Sequence, residues 1–233
     1  MRIHHLPPSL AVALALAFTS PAEAREERVV AIGSHELKVA LADGDCFFDA
    51  EQPGDRHLID QVAAGLGGKV VLLVAFADCG TLEGWRTGTP STVSRFGYVM
   101  IADAHLEPVF AFDQAALADA ITKALDDLKT QDYRADINRL AADIDRIWPT
   151  LPAGGQQELG IVHRDRFGPV LATVLSVAGP SGPPVPRLQL RQSVLVAGKV
   201  LGVAATRDYT NAETVFDVYG DLSAVVEATS ARN

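Results

Sequence analysis

KVVLLVAFADCGTLEGWRTG, from Lys69 to Gly88, is the stretch that decides the fold of this chain. Its first part, Val70 to Ala77, is a continuous apolar run with many β-branched residues, which is typical of a strand buried in the middle of a sheet. Gly67-Gly68 precedes the run and isolates it from the segment before. We therefore predict a central strand, followed by a loop from Asp78 to Gly88 that reaches the surface.

The first 24 residues have the pattern of a cleaved export signal. Arg2 supplies a positive charge, Leu10 to Phe18 form an apolar core, and Ala22-Glu23-Ala24 is a small-x-small cleavage site. The core is shorter than the roughly 20 residues that cross a bilayer, so we favour cleavage after Ala24 over a retained N-terminal anchor. We expect residues 25–233 to form a single domain that is periplasmic or secreted, with no further membrane span.

The two cysteines of the chain, Cys46 and Cys79, are predicted to form a disulfide, because an exported protein with two cysteines usually pairs them. The bond would close a loop of 32 intervening residues, which is worth about 3–4 kcal/mol in chain entropy. The alternatives are two buried free thiols, or a nucleophilic thiol activated by His57 or His163. No second thiol or known motif supports the nucleophile.

The charge of the chain argues against a nucleic-acid partner. The formal net charge is −9, and removal of residues 1–24, which hold one Arg and one Glu, leaves it at −9. An acidic surface repels nucleic acid and anionic lipid unless it has a local basic patch.

The remaining pattern predicts strands and helices that do not alternate regularly. We expect strands over Arg28–Gly33, Glu36–Leu41, Phe96–Ala102, Glu158–His163, Pro169–Val177, Leu188–Val196 and Lys199–Ala205, with Leu106–Phe112 as a hairpin arm and Gly179–Pro186 as a loop. We expect a helix capped by Asp55, helical sequence from Asp113 to Trp148 as one helix or two, and a last helix with a capping box at Thr210 and Glu213.

This order of elements predicts an α+β fold, in which a mainly antiparallel, twisted sheet has helices packed on its faces. The glycine loops of nucleotide-binding crossovers are missing, since Gly65-x-Gly67-Gly68 follows a helix rather than a strand. We therefore expect no nucleotide cofactor, and the sequence has no motif for another cofactor.

The order of elements resembles that of the PsbP-like α/β/α sandwich. It runs from a helix through a buried strand and hairpins to a closing unit over Gly198 to Val226, in which a strand leads through a tyrosine-containing loop into a helix. Phe76 to Cys79 and Trp85-Arg86 are also similar to an FADC…WR stretch in a group of uncharacterised exported proteobacterial proteins. The resemblance implies that the last helix docks across the sheet. It also implies a non-catalytic adaptor or assembly protein, since most known members of the fold family are of that kind.

Trp85 and Arg86 are the candidate partner-binding residues, with Asp78 and Glu83 near enough in sequence to orient the arginine. Tryptophan and arginine dominate binding hot spots. The alternative is that Trp85 closes one end of the core and that Arg86 pairs with Asp78 or Glu83 only to hold the segment.

The other polar residues give weaker signals. His35, His57, His105 and His163 lie far apart, so no metal-ligand spacing is visible. Asp43, Asp45, Asp49, Glu51 and Asp55 form an acidic cluster, which we interpret as a solvated loop because its spacing differs from that of a calcium-binding EF-hand. No G-x-S-x-G nucleophile motif is present.

Two functions remain open from the sequence. The first is a non-enzymatic envelope protein that binds a partner, either an envelope protein or a small ligand, or that scaffolds an assembly. The second is an envelope hydrolase whose site is assembled from distant segments around Asp78, Glu83 and a histidine. A pocket that gathers a histidine and a carboxylate with shifted pKa values would favour the enzyme.

Overall fold

The computed structural model describes residues 26–88, 93–125, 133–177 and 183–233. Three features of the sequence lie wholly or largely outside these ranges: the predicted signal segment, the part near Thr130 where one helix or two was left open, and the first part of the Gly179–Pro186 loop. The strands are β1 (Glu27–Ile32), β2 (His35–Ala40), β3 (Asp45–Phe47), β4 (Val70–Asp78), β5 (Arg95–Ala102), β6 (Gln156–Asp165), β7 (Gly168–Val177), β8 (Val185–Val196) and β9 (Lys199–Asp208). The helices are α1 (Pro53–Leu66), α2 (Cys79–Arg86), α3 (Gln114–Leu125), α4 (Tyr133–Ile147) and α5 (Ala212–Ser230).

The predicted α+β fold is confirmed, with a seven-stranded sheet at its centre. Its strands follow the order β3-β4-β5-β9-β8-β7-β6, and each neighbouring pair is antiparallel. β1 and β2 form a separate two-stranded hairpin around a turn at Gly33. The predicted β8–β9 hairpin is also confirmed. Its turn residues Ala197 and Gly198 both have positive φ, as the tight hairpin turn that matches strand twist requires.

Helices pack on both faces of the sheet, which makes the fold a sandwich. On the first face, α4, α5 and the β1–β2 hairpin cover the main core, to which α5 contributes Val215, Val218 and Leu222. On the second face, α1 and α2 pack over β4, where Ala75 and Ala77 leave room for them. The apolar residues of α4 recur at helical spacing, which predicts one buried face. Ile137, Leu140, Ala141 and Ile144 are buried, as expected.

A close approach on the first face requires glycine at position 97. Gly97 of β5 pairs directly with Phe76 of β4, and the Phe76 ring lies across it. A Cβ atom at Gly97 would lie 2.2 Å from the Phe76 ring, so a side chain there would displace the ring from the core. The predicted central strand, Val70 to Ala77, therefore packs its Phe76 ring into the space that Gly97 of β5 leaves free.

The prediction of a loop from Asp78 to Gly88 is wrong, because residues Cys79–Arg86 form α2. The Asp78 carboxylate accepts hydrogen bonds from the backbone N–H and the hydroxyl of Thr81, at 2.9 and 3.1 Å, and so caps the helix. Leu82 is fully buried and fixes one face of the helix against the sheet. Capping and burial outweigh the low helix propensity of Gly80 and Gly84 within this helix.

The predicted hairpin arm at Leu106–Phe112 is not a strand either. β5 already pairs with β4 on one side and β9 on the other, so no edge is left for an arm. A short 3₁₀ turn at Asp103–His105 leads instead into an irregular segment. The buried Lys199 ammonium holds this segment by donating to the carbonyls of Leu106, Glu107 and Pro108, at 2.6, 3.1 and 3.1 Å.

Three smaller predictions change in detail. Gln52, not Asp55, occupies the N-cap of α1. Asn211 caps α5 by accepting from the Glu213 N–H, while Thr210 bonds to the Thr214 hydroxyl. The predicted loop up to Pro186 ends earlier, because β8 begins at Val185, where a proline at the start of a strand costs little.

Candidate functional site

A groove lies on the second face of the sheet, beside the area that α1 covers. Its volume is about 380 Å³, which is within the usual range for small-molecule sites. α1 forms one wall with Gln61, Val62, Gly65 and Leu66, and the sheet forms the floor. The other lining residues are Val70, Phe96, Tyr98, Met100, Gln156, Glu158, Thr173, Leu175, Val177, Arg187, Gln189, Arg191 and Thr206. We call this feature the sheet groove.

The strand register explains why these side chains meet. Directly opposed residues on neighbouring strands share a face of the sheet. Gln189 of β8 pairs with Thr173 of β7 and with Thr206 of β9. Glu158 and Phe96 continue the same row on β6 and β5. Arg187 and Arg191 lie two residues to either side of Gln189, so the three polar side chains alternate with the core residues of β8 and point into the groove.

Two threonines form part of the floor of the groove. Thr173 and Thr206 are almost completely buried although they line the groove. The Gln189 Nε2 donates to the Tyr98 hydroxyl at 3.1 Å and lies 3.4 Å from the Thr206 hydroxyl. Burial raises the pKa of Tyr98, so the phenol stays protonated. These contacts fix the Gln189 amide, and within the described residues its oxygen accepts no hydrogen bond.

Arg191 is held at one end of the floor by contacts that use few of its donors. Its Nη2 donates to Glu158 Oε1 at 2.9 Å and to the Thr173 hydroxyl at 3.4 Å. Its Nε is buried and has no hydrogen-bond partner among the described residues. Glu158 is 70% exposed, and a surface ion pair of this kind contributes little stability. Arg191 is therefore held in position, but some of its N–H donors have no acceptor among the described residues.

Arg187 is held more firmly at the other end. Its Nη2 and Nε contact Asp208 Oδ1 at 2.6 and 2.7 Å, and Asp208 is its directly opposed residue on β9. The guanidinium also lies 5.7 Å from the Phe96 ring centre, an arrangement that favours a cation over an aromatic face. The ring and the carboxylate together keep this arginine at the rim of the sheet groove.

A second, more apolar cavity adjoins the sheet groove. It has a volume of about 260 Å³ and shares Gln61, Val62, Phe96 and Arg187 with the groove. Phe48, Leu58 and Val93 complete its lining. The two cavities together provide a polar floor and an apolar extension, which can bind a ligand that has both characters.

The sequence reasoning did not find this site. The only signal was the alternation in β8, where Arg187, Gln189 and Arg191 interrupt an apolar series. In an antiparallel strand such alternation usually means a solvated face. The contribution of α1 and of three other strands depends on sheet order, which the sequence alone does not specify.

The predicted disulfide between Cys46 and Cys79 is present, with the two Cα atoms 4.9 Å apart. Cys46 lies in β3 opposite Ala77 of β4, and Cys79 is the first residue of α2. The Cys79 N–H also donates to the Gly44 carbonyl at 2.9 Å. The bond therefore links an edge strand to the junction between the central strand and α2.

The four predicted partner-binding residues all belong to α2 or its cap. The Asp78 side chain caps the helix and lies 3.5 Å from Arg95, and the hydrogen bond from the Thr81 N–H lowers its pKa. Glu83 is exposed, and Trp85 is half-buried against the apolar cluster of the second face. Its indole lies over Gly54 at the start of α1.

Arg86 turns away from Asp78 and Glu83 and binds Asp55 instead. Its Nη2 lies 2.5 Å from Asp55 Oδ2, and the same nitrogen donates to the Phe47 carbonyl at 3.3 Å. The hydrogen bond to Asp55 raises the pKa of Arg86. The Asp55 carboxylate also accepts from the Asp49 N–H at 2.8 Å and is completely buried. The expected orientation of Arg86 by Asp78 or Glu83 is thus replaced by a contact between α1 and α2.

The interpretation of the acidic cluster as a solvated loop is wrong for two of its members. Asp55 is buried against Arg86, and Asp45 is 4% exposed. Asp45 Oδ1 lies 2.9 Å from Arg95, which also binds Asp221, but Asp45 Oδ2 has no hydrogen-bond partner in the described chain. Burial raises the pKa of Asp45 to about 6, despite the opposing charge of Arg95. Among the described residues, no three His, Cys, Asp or Glu side chains form a metal-binding group.

A histidine–carboxylate contact occurs elsewhere in the fold. His163 Nδ1 of β6 lies 3.3 Å from Asp136 Oδ2 of α4, and the His163 ring packs edge-on against Tyr219 of α5. The cavity beside them is about 10 Å³, which is about the space of one water molecule. This pair lies where β6 meets α4 and α5, and the cavity beside it has no room for a substrate.

A scan against models of protein families finds no match, and a search of curated protein sequences finds no relative. No helix in the described ranges is long and apolar enough to cross a membrane.

Proposed function

We propose that this protein is a non-enzymatic, exported protein of the cell envelope that binds a small ligand in the sheet groove. The observation that carries the proposal is the lining of the groove. A concave site of about 380 Å³ combines apolar walls with a few fixed polar groups on a rigid sheet. This composition is typical of small-molecule binding sites.

Rigidity supports binding as the role of this site. Most of the floor consists of the interior strands β5, β9, β8 and β7, with the edge strand β6 beside them, and Gln189 is held by Tyr98 and Thr206. A preformed site loses little conformational entropy when a ligand enters. The groove lining includes one carboxylate, Glu158, which is mostly exposed, and no histidine, so its composition suits recognition better than acid–base chemistry.

Export supports the envelope as the compartment. The proposal rests on the signal pattern at 1–24 and on the disulfide, which forms in oxidising compartments. The resemblance to PsbP-like adaptors belongs to the same proposal. No family model supports it, so the groove rather than the resemblance carries the argument.

An envelope protein partner docked on α2 is the second candidate function. The half-buried Trp85 and the exposed Glu83 favour it, because they lie on one short helix that a disulfide anchors. The groove is preferred because Arg86, the other expected anchor, uses its donors within the protein. The hydrolase alternative has no comparable support, since Asp78 is used as a helix cap and His163 lies beside a cavity of about 10 Å³.

The test is native mass spectrometry of the protein isolated from the periplasm, with a variant that fills the groove. Val62 is half-buried and lines both cavities, so Val62→Trp should block them. Ala63 is the exposed neighbour on α1, which makes Ala63→Trp the matched control. The parent protein and the Ala63→Trp control should carry a bound small molecule, and the Val62→Trp variant should not.

Two outcomes would overturn the proposal. The first is a bound molecule that Val62→Trp retains, because its site would then lie elsewhere. The second is the absence of any bound molecule together with no change in thermal stability when anionic, neutral and cationic probes are added. Chemical conversion of a bound molecule during incubation would exclude the non-enzymatic part of the proposal.

A further inference from the structure

We infer that the ligand of the sheet groove is a small amphiphile with one anionic group, such as a carboxylate, sulfate or phosphate monoester, on an apolar body. The inference rests on the proposed function and deepens it by naming the ligand class. It places the anionic group at Arg191 and the apolar body along α1, towards the cavity bounded by Phe48 and Leu58.

Charge is the first reason for an anion. The chain carries a net charge of −9, yet the groove lining contains two arginines, Arg187 and Arg191, against one carboxylate, Glu158. Glu158 is also the most easily displaced of these groups, since its side chain is 70% exposed. Asp208, outside the lining, neutralises Arg187, so Arg191 is the guanidinium whose charge an anion would meet once Glu158 is displaced. Its charge favours an anion over a cation at that point of the groove.

The donors of Arg191 are the second reason. A guanidinium has five N–H groups, one on Nε and two on each Nη. The two protein acceptors, Glu158 Oε1 and the Thr173 hydroxyl, both bind Nη2. Within the described residues, Nε and Nη1 have no acceptor, and Nε is buried. Nε and Nη1 donate from opposite edges of the guanidinium plane and form no fork, and the buried Nε is out of reach of a ligand. Nη1 is therefore the donor of Arg191 that remains open to the groove, and one anionic oxygen can accept a charge-assisted hydrogen bond from it.

The apolar walls of the groove indicate that the ligand has an apolar body attached to its anionic group. Val62 and Leu66 of α1 and Phe96 and Met100 of β5 line the groove together, and none of them is fully covered by the protein. Phe96 and Val62 continue into the adjoining cavity, where Phe48, Leu58 and Val93 extend the apolar surface. An unbranched or aromatic apolar body would cover this surface while its anionic group contacts Arg191.

The size of the groove indicates a free small molecule rather than a membrane surface. About 380 Å³ within a recess between α1 and the sheet holds one small amphiphile. A bilayer presents many head groups at once and cannot enter a recess of this kind. Vesicle binding is therefore a separate outcome of the test.

The experiment is isothermal titration of the full mature protein with three probes that differ in the head group alone. Decanoate is the anion, decanol the neutral analogue and decyltrimethylammonium the cation, each kept below its micelle concentration. We expect decanoate to bind about tenfold or more tightly than decanol, as a charge-assisted hydrogen bond implies. The cation should bind more weakly than decanol.

Two arginine variants make the test specific. Arg191→Met removes the guanidinium and keeps an apolar stem. Arg166→Met is the matched control, because Arg166 forms a similar surface ion pair, with Glu227, away from the groove. Arg191→Met should weaken decanoate binding about ten- to hundredfold and leave decanol binding unchanged. Arg166→Met should bind all three probes as the parent protein does, and circular dichroism verifies that both variants are folded.

The outcomes separate this inference from the proposed function. Binding of decanol or the cation at least as tight as that of decanoate, blocked by Val62→Trp, would overturn the anion inference and leave a ligand groove in place. Decanoate binding that Arg191→Met does not weaken would overturn it too. Binding to anionic vesicles without binding to monomeric decanoate would reject the small-molecule source. If no probe binds and the isolated protein carries no ligand, both conclusions fail.

Discussion

Arg86 of α2 binds the completely buried carboxylate of Asp55 in α1, with 2.5 Å between Nη2 and Oδ2. The contact joins the only two helices that the described residues place on the second face of β4. α1 is also the wall of the sheet groove, since Val62 and Leu66 line it. The Arg86–Asp55 pair therefore fixes the position of the wall against which a ligand would pack.

Loss of one partner of this pair should destabilise the protein strongly. Arg86→Met leaves the buried Asp55 carboxylate without its counter-charge, which costs about 3–5 kcal/mol in similar cases. Chemical denaturation of the variant measures the change in the free energy of unfolding. Arg146→Met, which removes an exposed helix-surface pair with Asp143, is the control and should change it by less than about 0.5 kcal/mol. A loss below about 1 kcal/mol for Arg86→Met would show that the pair does not hold α1.

Trp85→Ala distinguishes a structural tryptophan from a partner anchor. Trp85 packs in the cluster of the second face and lies over Gly54, so its truncation should lower the unfolding free energy by about 2–4 kcal/mol. Glu83→Ala, on the exposed side of α2, should be nearly neutral. Near-native thermal stability for Trp85→Ala with loss of an envelope partner would instead support the anchor hypothesis and move the binding surface to α2.

The disulfide makes a direct prediction for redox chemistry. Alkylation of the denatured, unreduced protein should label neither Cys46 nor Cys79, because both sulfurs are bonded. Cys79→Ala should lower the unfolding free energy by about 3–4 kcal/mol, the chain-entropy value for a loop of this length. A reduced Cys79→Ala variant compared with the reduced parent protein controls for the loss of the side chain. Labelling of both cysteines in protein isolated without a reducing agent would contradict the assignment.

Asp45 should make stability depend on pH. Its pKa is raised by burial from 3.8 to about 6 in the folded protein, so the folded state binds this proton more tightly than the unfolded chain. The resulting stabilisation is fully present below pH 3.8 and is lost as the pH rises through 6. Relative to Asp45→Asn, the parent protein should lose about 2–3 kcal/mol of unfolding free energy between pH 4 and pH 8, since one pKa unit is worth about 1.4 kcal/mol.

The comparison of the two denaturation series isolates this one carboxyl. Asp143→Asn is the control, because Asp143 has a side chain that is 40% exposed and lies on the surface of α4. A pH-independent difference between the parent protein and Asp45→Asn would mean that Asp45 keeps an ordinary pKa in the folded state.

Local patterns predicted much of the fold. The apolar run from Val70 to Ala77, the alternation in the β8–β9 hairpin and the periodicity of α4 all correspond to observed elements, because each depends on neighbours close in sequence. The Cys46–Cys79 pairing was predicted from the count of two cysteines and from the expected export to an oxidising compartment. α2 was predicted as a loop because it follows the central strand directly, whereas the Asp78 cap and the burial of Leu82 stabilise a helix there.

The candidate site could not be predicted in the same way. Its floor unites Thr173, Gln189 and Thr206 from three strands, and its wall comes from α1, far earlier in the chain. Arg86 likewise binds Asp55, which is 31 residues away in the sequence, rather than Asp78 or Glu83, which are nearer in the sequence. Such contacts depend on the order of strands in the sheet, and no short-range pattern specifies that order.

The most direct test of the central claim is a two-dimensional amide NMR titration of residues 25–233 with decanoate. The account predicts that the largest shift changes fall on residues 187–191 of β8, 173–177 of β7 and 61–66 of α1, which surround the sheet groove. Val62→Trp should abolish these changes, and Ala63→Trp should preserve them. Shift changes confined to residues 79–86 of α2, or no saturable change in any part of the chain, would contradict the account.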